Sequence, residues 1–267
     1  MQLSFTKMQG LGNDYIYVDA SRFSIADPAA LSIRLSDRHF GIGSDGLVLI
    51  GPGRDADFSM RMFNADGSEG KMCGNAARCI ARYVYEKGLT DKKVITLETP
   101  SGIKVLRLNF AASGKLDSVT VDMGEYELIE RAPAGVQACG REWRGVGVSM
   151  GNPHYVIFVD DAEAVDVAAV GSVIERLPVF PGGTNVEFVS RLADGRLRMR
   201  VWERGSGITL ACGTGACATA AAASLRGIPT SPVAIVMDGG TLGISVSSRQ
   251  ILMTGPAVTV FDGTIEI

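Results

Sequence analysis

The sequence predicts an α+β fold made of two similar halves, and three observations support this prediction. Short runs in which apolar and polar residues alternate recur along the chain, which is typical of half-buried strands. Two segments with helical periodicity interrupt these runs. The tripeptide Cys-Gly-Asn that opens the first helical segment at Cys73 returns as Cys-Gly-Thr at Cys212, 139 positions later. A repeat of this length indicates two domains, because solenoid repeats are only about 20 to 50 residues long.

The predicted strands lie in four alternating segments: YIYVDA from Tyr15, LVLI from Leu47, VITLETPSGIKVLRLNF from Val94 and VEFVSRLADGRLRMRVW from Val186. The last two segments contain turn residues at their centres, Pro-Ser-Gly at residues 100–102 and Ala-Asp-Gly at residues 193–195. Turn residues between two alternating runs are typical of β-hairpins. We therefore expect mainly antiparallel sheet.

Two helices are predicted directly after the repeated tripeptides. The first covers residues 75–87 and the second residues 215–226, and Gly88 and Gly227 follow them. Glycine is common just after a helix because it adopts left-handed backbone conformations. A weaker helical pattern covers residues 162–177.

Composition and charge exclude several classes of protein. With 46% hydrophobic residues among 267, the chain can bury one large core or two of about 100 to 150 residues. A net charge of −3 leaves no basic field for a phosphate backbone, so no nucleic-acid partner is expected. The amino-terminal segment lacks the apolar core of a signal peptide, and the uncharged residues 205–225 are mostly small, so no membrane partner is expected. These features predict a cytoplasmic location.

The cysteine pattern favours reduced thiols. Five cysteines form an odd set in a chain without an export signal, which argues against a disulfide framework. Their spacing differs from the two-residue gaps of common zinc sites, so no metal is expected. Cys79 and Cys217 are expected to be buried inside the predicted helices, and Cys139 precedes charged residues instead of a helix. We therefore assign a functional role only to Cys73 and Cys212.

Cys73 and Cys212 each precede a predicted helix. The unpaired N–H groups and the dipole of a helix amino end favour negative charge, so a thiol pKa of about 8.5 can fall to roughly 3.5 to 7.5 there. Glycine after each cysteine lets the backbone approach a ligand, and Asn75 or Thr214 is expected to cap the helix. Each half is thus predicted to hold an anion beside a reactive sulfur.

Two similar thiols suit the inversion of a stereocentre without a cofactor. Such a reaction removes a Cα proton from one face of the substrate and delivers a proton to the opposite face, which one base cannot easily do. One ionised thiol and one protonated thiol meet this need, and they exchange roles when the reaction runs backwards. The carboxylate of an amino-acid substrate would bind at the helix amino ends.

Several segments together resemble the diaminopimelate epimerases. They are KMQGLGNDY from Lys7, DRHFGIGSDGLVLI from Asp37, FNADGSEGKMCGNAARC from Phe63, GNPHYVIFV from Gly151, TNVEFV from Thr184 and VWERGSGITLACGTGACA from Val201, in the order found in that family. The resemblance covers essentially the whole chain. It implies conversion of LL-2,6-diaminoheptanedioate into the meso isomer for lysine and peptidoglycan synthesis, without a cofactor or metal, with Cys73 and Cys212 as acid and base.

The resemblance also implies roles for other residues. The substrate-binding residues implied in this way are Asn13, Asn64, Gly74, Asn75, Asn152, Asn185, Glu203, Arg204, Gly213 and Thr214. The four at the helix starts would hold the reacting carboxylate, and Arg204 suits a bidentate pair with the distal carboxylate. His154 is expected to orient other groups near the site. Gly46 and Gln9 depart from the glutamine and histidine of some family members, and Gly46 would remove a polar contact at the site entrance.

For the fold, the resemblance implies two pseudo-symmetric domains, each a mainly antiparallel sheet wrapped round a central helix, with the active site in the interdomain cleft. The first domain would comprise residues 1–117 with a returning strand at residues 256–267, and the second would comprise residues 118–255. A homodimer is also implied.

Four alternative functions fit parts of the sequence. Residues 41–46 match the GxGxxG dinucleotide fingerprint, although a strand pattern follows them instead of a helix. Cys212 with His154 would form the nucleophilic pair of a cysteine hydrolase, which leaves Cys73 unexplained. Proline racemases and related enzymes for other amino acids share the two-thiol design, but the proline enzymes have histidine where this chain has Asn75. A non-catalytic amino-acid-binding protein would need neither thiol.

Overall fold

Residues 2–267, described by a computed structural model, form two compact units. Unit 1 comprises residues up to Asp122 together with Gly255–Ile267, and unit 2 comprises Met123–Thr254. The first strands of unit 1 are β1 (Gln2–Gly10), β2 (Asn13–Asp19), β3 (Gly46–Pro52), β4 (Phe58–Asn64), β5 (Glu69–Gly70), β6 (Val94–Thr99), β7 (Gly102–Phe110) and β8 (Leu116–Glu125). Its helices are α1 (Pro28–Ser36) and α2 (Gly74–Glu86). The division at Asp122 falls inside β8, whereas the boundary predicted at residue 117 lies near the start of that strand.

Unit 2 repeats this sequence of elements. Its strands are β9 (Glu127–Leu128), β10 (Gly135–Ala138), β11 (Arg141–Ser149), β12 (Pro153–Phe158), β13 (Asn185–Arg191), β14 (Leu197–Glu203), β15 (Gly207–Ile208), β16 (Val233–Met237), β17 (Gly240–Ser247) and β18 (Gln250–Gly255). Its helices are α3 (Val167–Glu175) and α4 (Gly213–Leu225). The last strand of the chain, β19 (Val258–Glu266), belongs to unit 1.

The strands of the two units are paired in the same order. Unit 1 has the order β19-β1-β2-β3-β4-β6-β7-β8, and unit 2 has the order β10-β11-β12-β13-β14-β16-β17-β18. The short strands β5 and β15 pair with β4 and β14. Most neighbours are antiparallel, as predicted, and both expected hairpins form. Two pairs in each unit are parallel, which the hairpin turns could not indicate because a tight turn connects only antiparallel strands.

The longer helix of each unit is almost wholly buried and is contacted by strands from both ends of the strand order. Helix α2 contacts β1, β2, β7 and β19, and α4 contacts β11 to β14, β16 and β17. Alanine dominates α4, and the side chains from Ala220 to Ala223 are fully buried. Such small side chains let strands approach the helix closely on several sides, so each helix forms the centre of its unit's core.

Both long helices begin one or two residues earlier than the sequence predicts. Cys73 and Cys212 are themselves the N-cap residues, with extended backbones, and the helices start at Gly74 and Gly213. The prediction that Asn75 and Thr214 cap the helices is therefore wrong, because both lie inside the first turn. At the other end, the glycines at positions 88 and 227 follow the C-caps with φ values of 68° and 70°, as predicted.

Helix α1 was not predicted from the sequence, and the helix predicted at residues 162–177 is too long. Helix α1 begins with Asp27 as its N-cap and Pro28 in the first turn, which is a recognisable start signal. The Asp27 carboxylate accepts a hydrogen bond from the Ala30 backbone N–H at 3.0 Å. Helix α3 is capped in the same way by Asp166 and is shorter than the predicted residues 162–177. Both helices are short, so their periodic pattern is weak.

We expect Asp27→Ala to lower the free energy of unfolding by about 1 kcal/mol, because it leaves the Ala30 N–H without its side-chain acceptor. Urea denaturation followed by circular dichroism measures this change. Asp27→Asn keeps an acceptor oxygen and is the matched control. A loss as large in the asparagine variant would contradict the capping role.

Candidate functional site

In unit 1, Cys73 lies at the amino end of the buried helix α2. Its Sγ accepts a hydrogen bond from the Ala76 backbone N–H at 3.5 Å, and its carbonyl accepts the first intrahelical bond from Ala77 at 2.9 Å. The Cys73 thiol also donates to Asn13 Oδ1 at 3.5 Å. The half-buried sulfur is therefore held by the first helical turn and by the start of β2.

Asn13 connects Cys73 to a charged network. Its Oδ1 also accepts a hydrogen bond from Asn75 Nδ2 at 3.3 Å, and its Nδ2 donates to Asp45 Oδ2 at 2.8 Å. Arg38 pairs with Asp45 at 3.0 Å. Because the carboxylate of Asp45 can only accept from the amide nitrogen, it fixes the orientation of the Asn13 amide. The amide oxygen of Asn13 is thereby turned towards the sulfur.

Two buried cationic side chains pair with polar groups near Cys73 in unit 1. No role was predicted for either of them from the sequence. Arg78 is fully buried, and its guanidinium donates to Asn75 Oδ1 at 2.7 Å and to the Pro256 carbonyl at 3.0 Å. Lys7 pairs with Asp14 at 2.6 Å. Burial favours the neutral form of Asp14, but Lys7 and the guanidinium of Arg38 outweigh it and lower the pKa of that carboxyl. An arginine directly beside Cys79 on a predicted buried helix was the available signal for Arg78.

Asn64 is the last residue of β4 and lies at the end of the sheet where the parallel strands β2 and β3 begin. Its Nδ2 donates to Ser68 Oγ at 2.9 Å, and its carbonyl accepts from Ser32 Oγ at 2.8 Å. Opposite Asn64 on β3 lies Gly46. A Cβ atom at position 46 would stand 2.0 Å from the Phe63 carbonyl oxygen, so no side chain fits there. Gly46 is buried, and in this backbone a side chain at position 46 would collide with β4.

In unit 2, Cys212 caps the buried helix α4 and is itself 5% exposed. Its Sγ lies 3.6 Å from Thr214 Oγ1. Burial raises the pKa of the Cys212 thiol well above its ordinary value, and negative charge on the carboxyl groups of Glu203 and Glu187 acts in the same direction. The Thr214 hydroxyl and the Gly215 backbone N–H act in the opposite direction. The prediction that the helix end lowers this pKa is therefore wrong for Cys212, because desolvation outweighs the helix end.

A chain of polar side chains leads from Thr214 into the core of unit 2. Asn152 Nδ2 donates to Thr214 Oγ1 at 3.3 Å, and Asn152 Oδ1 lies 3.2 Å from His154 Nε2. His154 Nδ1 lies 2.6 Å from Glu187 Oε1, and both side chains are fully buried. The two ring nitrogens are thus engaged by Asn152 and Glu187, which agrees with the expected orienting role and speaks against a Cys212–His154 hydrolase pair.

The remaining predicted residues of unit 2 surround the end of β14. Asn185 Nδ2 donates to the Pro153 carbonyl at 2.8 Å, and Asn185 Oδ1 accepts from the Arg204 backbone N–H at 2.9 Å. The exposed guanidinium of Arg204 donates to the Gly182 carbonyl at 3.1 Å. Glu203 accepts a hydrogen bond from the Thr209 hydroxyl. The Asn185 side chain therefore links the backbone at Pro153 to the backbone at Arg204. The Arg204 side chain is available to a ligand.

The predicted site residues occupy equivalent positions in the two units. Each pair is separated by 139 positions: Asn13 and Asn152, Gly46 and Asn185, Asn64 and Glu203, Cys73 and Cys212, Gly74 and Gly213, and Asn75 and Thr214. The strand register agrees, because Gly46 lies opposite Asn64 and the paired residues on β13 and β14 place Asn185 next to Glu203. The repeat thus places two similar sets of residues, with different side chains, at equivalent positions in the two units.

The other cysteines lie where the sequence predicts. Cys79 and Cys217 are fully buried, and burial raises the pKa of Cys79 to about 11. Cys139 is exposed in the turn between β10 and β11. Residues 41–46 lead into β3 instead of a helix, so the dinucleotide alternative lacks its required context.

Among residues 2–267, no cluster of three or more His, Cys, Asp and Glu side chains could hold a metal ion. No helix formed by the same residues is long and apolar enough to cross a membrane.

Comparisons with known proteins agree over almost the full length. The family profile described as diaminopimelate epimerase matches residues 5–129 and 146–260. The diaminopimelate epimerase of Phocaeicola vulgatus is 56% identical, and the alignment covers 99% of each chain. That of Acetivibrio thermocellus is 46% identical, again over 99% of each chain.

Solved structures with low sequence identity show the same fold. A phenazine biosynthesis protein of the PhzF family from Bacillus anthracis superimposes with a TM-score of 0.79 at 17% identity, with 100% of both chains covered. A hydroxyproline epimerase from Agrobacterium vitis superimposes with a TM-score of 0.73 at 19% identity, covering 99% of this chain and 92% of the other. These likenesses establish the α+β architecture.

Proposed function

Because this chain belongs to the diaminopimelate epimerase family, we propose that it interconverts LL- and meso-2,6-diaminoheptanedioate without a cofactor, using Cys73 and Cys212 as its acid–base pair. The chain is accordingly an isomerase, and its product would serve lysine and peptidoglycan synthesis. The observation that carries the proposed mechanism is the position of the two cysteines. Each is the N-cap of the central helix in one of two units with the same strand order. The homodimer and the cytoplasmic location stay predictions.

The position of the two thiols supports a two-base reaction. One sulfur, as thiolate, takes the Cα proton from one face of the substrate, and the other, as thiol, gives a proton to the opposite face. The net result is inversion, with one thiol and one thiolate before and after the step. The reverse reaction uses the same groups in exchanged roles.

The first helical turns support binding of the reacting carboxylate. The first intrahelical bonds are donated by Ala77 and Ala216, so the N–H groups at Gly74, Asn75, Gly213 and Thr214 precede them. Such N–H groups, together with the helix dipole, bind anions and stabilise the charge that develops as the proton leaves. Glycine at the first position of each helix leaves room for a ligand at the backbone.

Glu203 supports recognition of a substrate ammonium group. Negative charge on its carboxyl group raises the pKa of Cys212. An ammonium held by Glu203 would offset this negative charge and so favour the thiolate when substrate is bound. Asn64, the equivalent residue of unit 1, carries no charge, so the two half-sites would treat the substrate differently.

Exchange of the Cα proton tests the proposed function. The protein is mixed with LL-2,6-diaminoheptanedioate in deuterated water, and deuterium uptake and formation of the meso isomer are followed by NMR. Proline, 4-hydroxyproline and lysine serve as comparison substrates. Exchange on proline or 4-hydroxyproline but not on the diaminoheptanedioate would favour a related racemase. Absence of exchange on all four would contradict the proposal.

We expect Arg204→Met to lower kcat/KM for LL-2,6-diaminoheptanedioate by about 30-fold, equivalent to about 2 kcal/mol. The value lies at the lower end for a charge pair because the Arg204 side chain is exposed. Arg196→Met is the matched control, since Arg196 pairs with Asp194 in the exposed β13–β14 turn. Lysine lacks the distal carboxylate, so any slow turnover of lysine should be unaffected by Arg204→Met. An equal loss on both substrates would refute this role.

A further inference from the structure

We propose that Glu187 is a positioning residue that holds His154 in one tautomer and so keeps a directed chain of hydrogen bonds pointing at Cys212. This inference rests on the proposed acid–base role of Cys212. Glu187 lies on β13, next to His154 on the parallel strand β12. Sequence reasoning gave Glu187 no function.

The contact between Glu187 and His154 is short and shielded from solvent. Glu187 Oε1 and His154 Nδ1 are 2.6 Å apart, and both side chains have no exposed surface. The other carboxyl oxygen, Oε2, is buried and has no hydrogen-bond partner among residues 2–267. Burial of a charged carboxylate with one unpaired oxygen costs more free energy than burial of a neutral carboxylic acid that donates to the imidazole.

The hydrogen-bond partners determine which atom donates at each step between Glu187 and Cys212. Asn152 Nδ2 donates to Thr214 Oγ1, so Asn152 Oδ1 must accept from His154 Nε2–H. With its proton on Nε2, a neutral His154 presents Nδ1 as an acceptor to the carboxylic acid of Glu187. Thr214 accepts from Asn152 and has its own proton left for Cys212 Sγ at 3.6 Å. Every donor in this chain therefore points towards the sulfur, which favours the thiolate.

The surroundings of Glu187 favour its protonated form. Burial raises the pKa of Glu187, His154 on β12 acts against this, and Glu203 on β14 raises the pKa further. Cys212 faces the carboxyl from the start of α4: a Cβ at Gly215 would lie 2.8 Å from Glu187 Oε1 and 3.3 Å from Cys212 Sγ. A negative charge so close to the sulfur would oppose the thiolate, whereas a carboxylic acid supports it through the chain.

Unit 1 contains no equivalent of this pair. The positions 139 residues before His154 and Glu187 are Tyr15 and Val48, and the side chain of Val48 cannot donate or accept a hydrogen bond. There, Asp45 orients Asn13 so that the amide oxygen accepts from the Cys73 thiol. The equivalent amides of Asn13 and Asn152 thus present opposite groups to their sulfurs: an acceptor at Cys73 and, through Thr214, a donor at Cys212.

The test measures the titration of Cys212 directly. In a Cys73→Ser background, the protein is alkylated with iodoacetamide over a range of pH, and modification of Cys212 is quantified by peptide mass spectrometry. The midpoint of the pH–rate profile reports the thiol pKa, whatever the absolute rate. Glu187→Met removes the donor at similar length, with Glu187→Leu as a second apolar variant, and Glu187→Gln keeps an N–H that can donate to His154 Nδ1.

We expect Glu187→Met to raise the midpoint by about 1 pH unit, a tenfold slower alkylation below the midpoint. Glu187→Gln should restore the value of the parent to within about 0.3 pH units. Circular dichroism verifies that each variant is folded. Equal midpoints in the apolar and glutamine variants, whether shifted or not, would overturn the proposal. The measurement needs no substrate, so its outcome is separate from that of the epimerase assay.

Discussion

Cys73→Ala and Cys212→Ala should each abolish epimerisation, with losses of at least about 10²- to 10⁴-fold in kcat, the usual contribution of a positioned acid or base. The physical reason is that each variant leaves one face of the substrate carbon without a proton carrier. The loss should be equally severe in both directions, because the two sulfurs exchange roles when the reaction reverses. Conversion of the LL isomer and of the meso isomer, each followed by chiral chromatography, measures the effect.

Cys139→Ala is the matched control for the cysteine variants. Cys139 also precedes a glycine, yet it is exposed in the β10–β11 turn and caps no helix. This variant should retain the activity of the unmodified protein. Near-normal turnover by either Cys73→Ala or Cys212→Ala would exclude the two-base mechanism, and an equal loss in Cys139→Ala would point to a nonspecific effect of removing a thiol.

Gly46→Ala should lower the free energy of unfolding by about 3 kcal/mol or more, because the new Cβ would lie 2.0 Å from the Phe63 carbonyl oxygen. Gly46 lies on β3 between β2 and β4, so neither neighbouring strand can move without disturbing the sheet. Displacement of β4 would also move Asn64 at its end. Urea denaturation measures the stability, and the epimerase assay measures the accompanying loss of activity.

Gly88→Ala separates this steric effect from the general cost of replacing glycine. Gly88 has a φ of 68°, and a Cβ there would meet nothing within 4 Å. An alanine at this position should therefore cost only about 1 kcal/mol, from the left-handed backbone alone. Similar losses in the two variants would mean that the sheet around Gly46 adapts to the methyl group.

Local patterns predicted much of the fold. The hairpins follow from alternation around turn residues, and the ends of the long helices follow from Gly88 and Gly227, because each signal acts over only a few residues. The tripeptide Cys-Gly-Asn and its repeat Cys-Gly-Thr identified Cys73 and Cys212 as helix starts. The parallel pairs escaped prediction because their strands are brought together by contacts distant in sequence.

The interior of the site was less accessible to sequence reasoning. Arg78 and Glu187 are charged residues on elements predicted to be buried, yet their partners, Asn75 and His154, become evident only in the folded units. The pKa of Cys212 was predicted in the wrong direction, because the helix amino end is a local property and the desolvation that dominates depends on the whole core.

The return of β19 to unit 1 has a consequence for biosynthesis of the chain. Unit 2 is continuous in sequence, whereas β1, which lies between β2 and β19, can pair with β19 only after residues 258–266 have left the ribosome. The buried guanidinium of Arg78 likewise needs the Pro256 carbonyl. During translation, unit 2 can fold first. Until β19 is made, β1 has an unpaired edge that is prone to pair with other chains. Stalling or truncation shortly before residue 256 should therefore yield an aggregating nascent chain, although unit 2 has already been made.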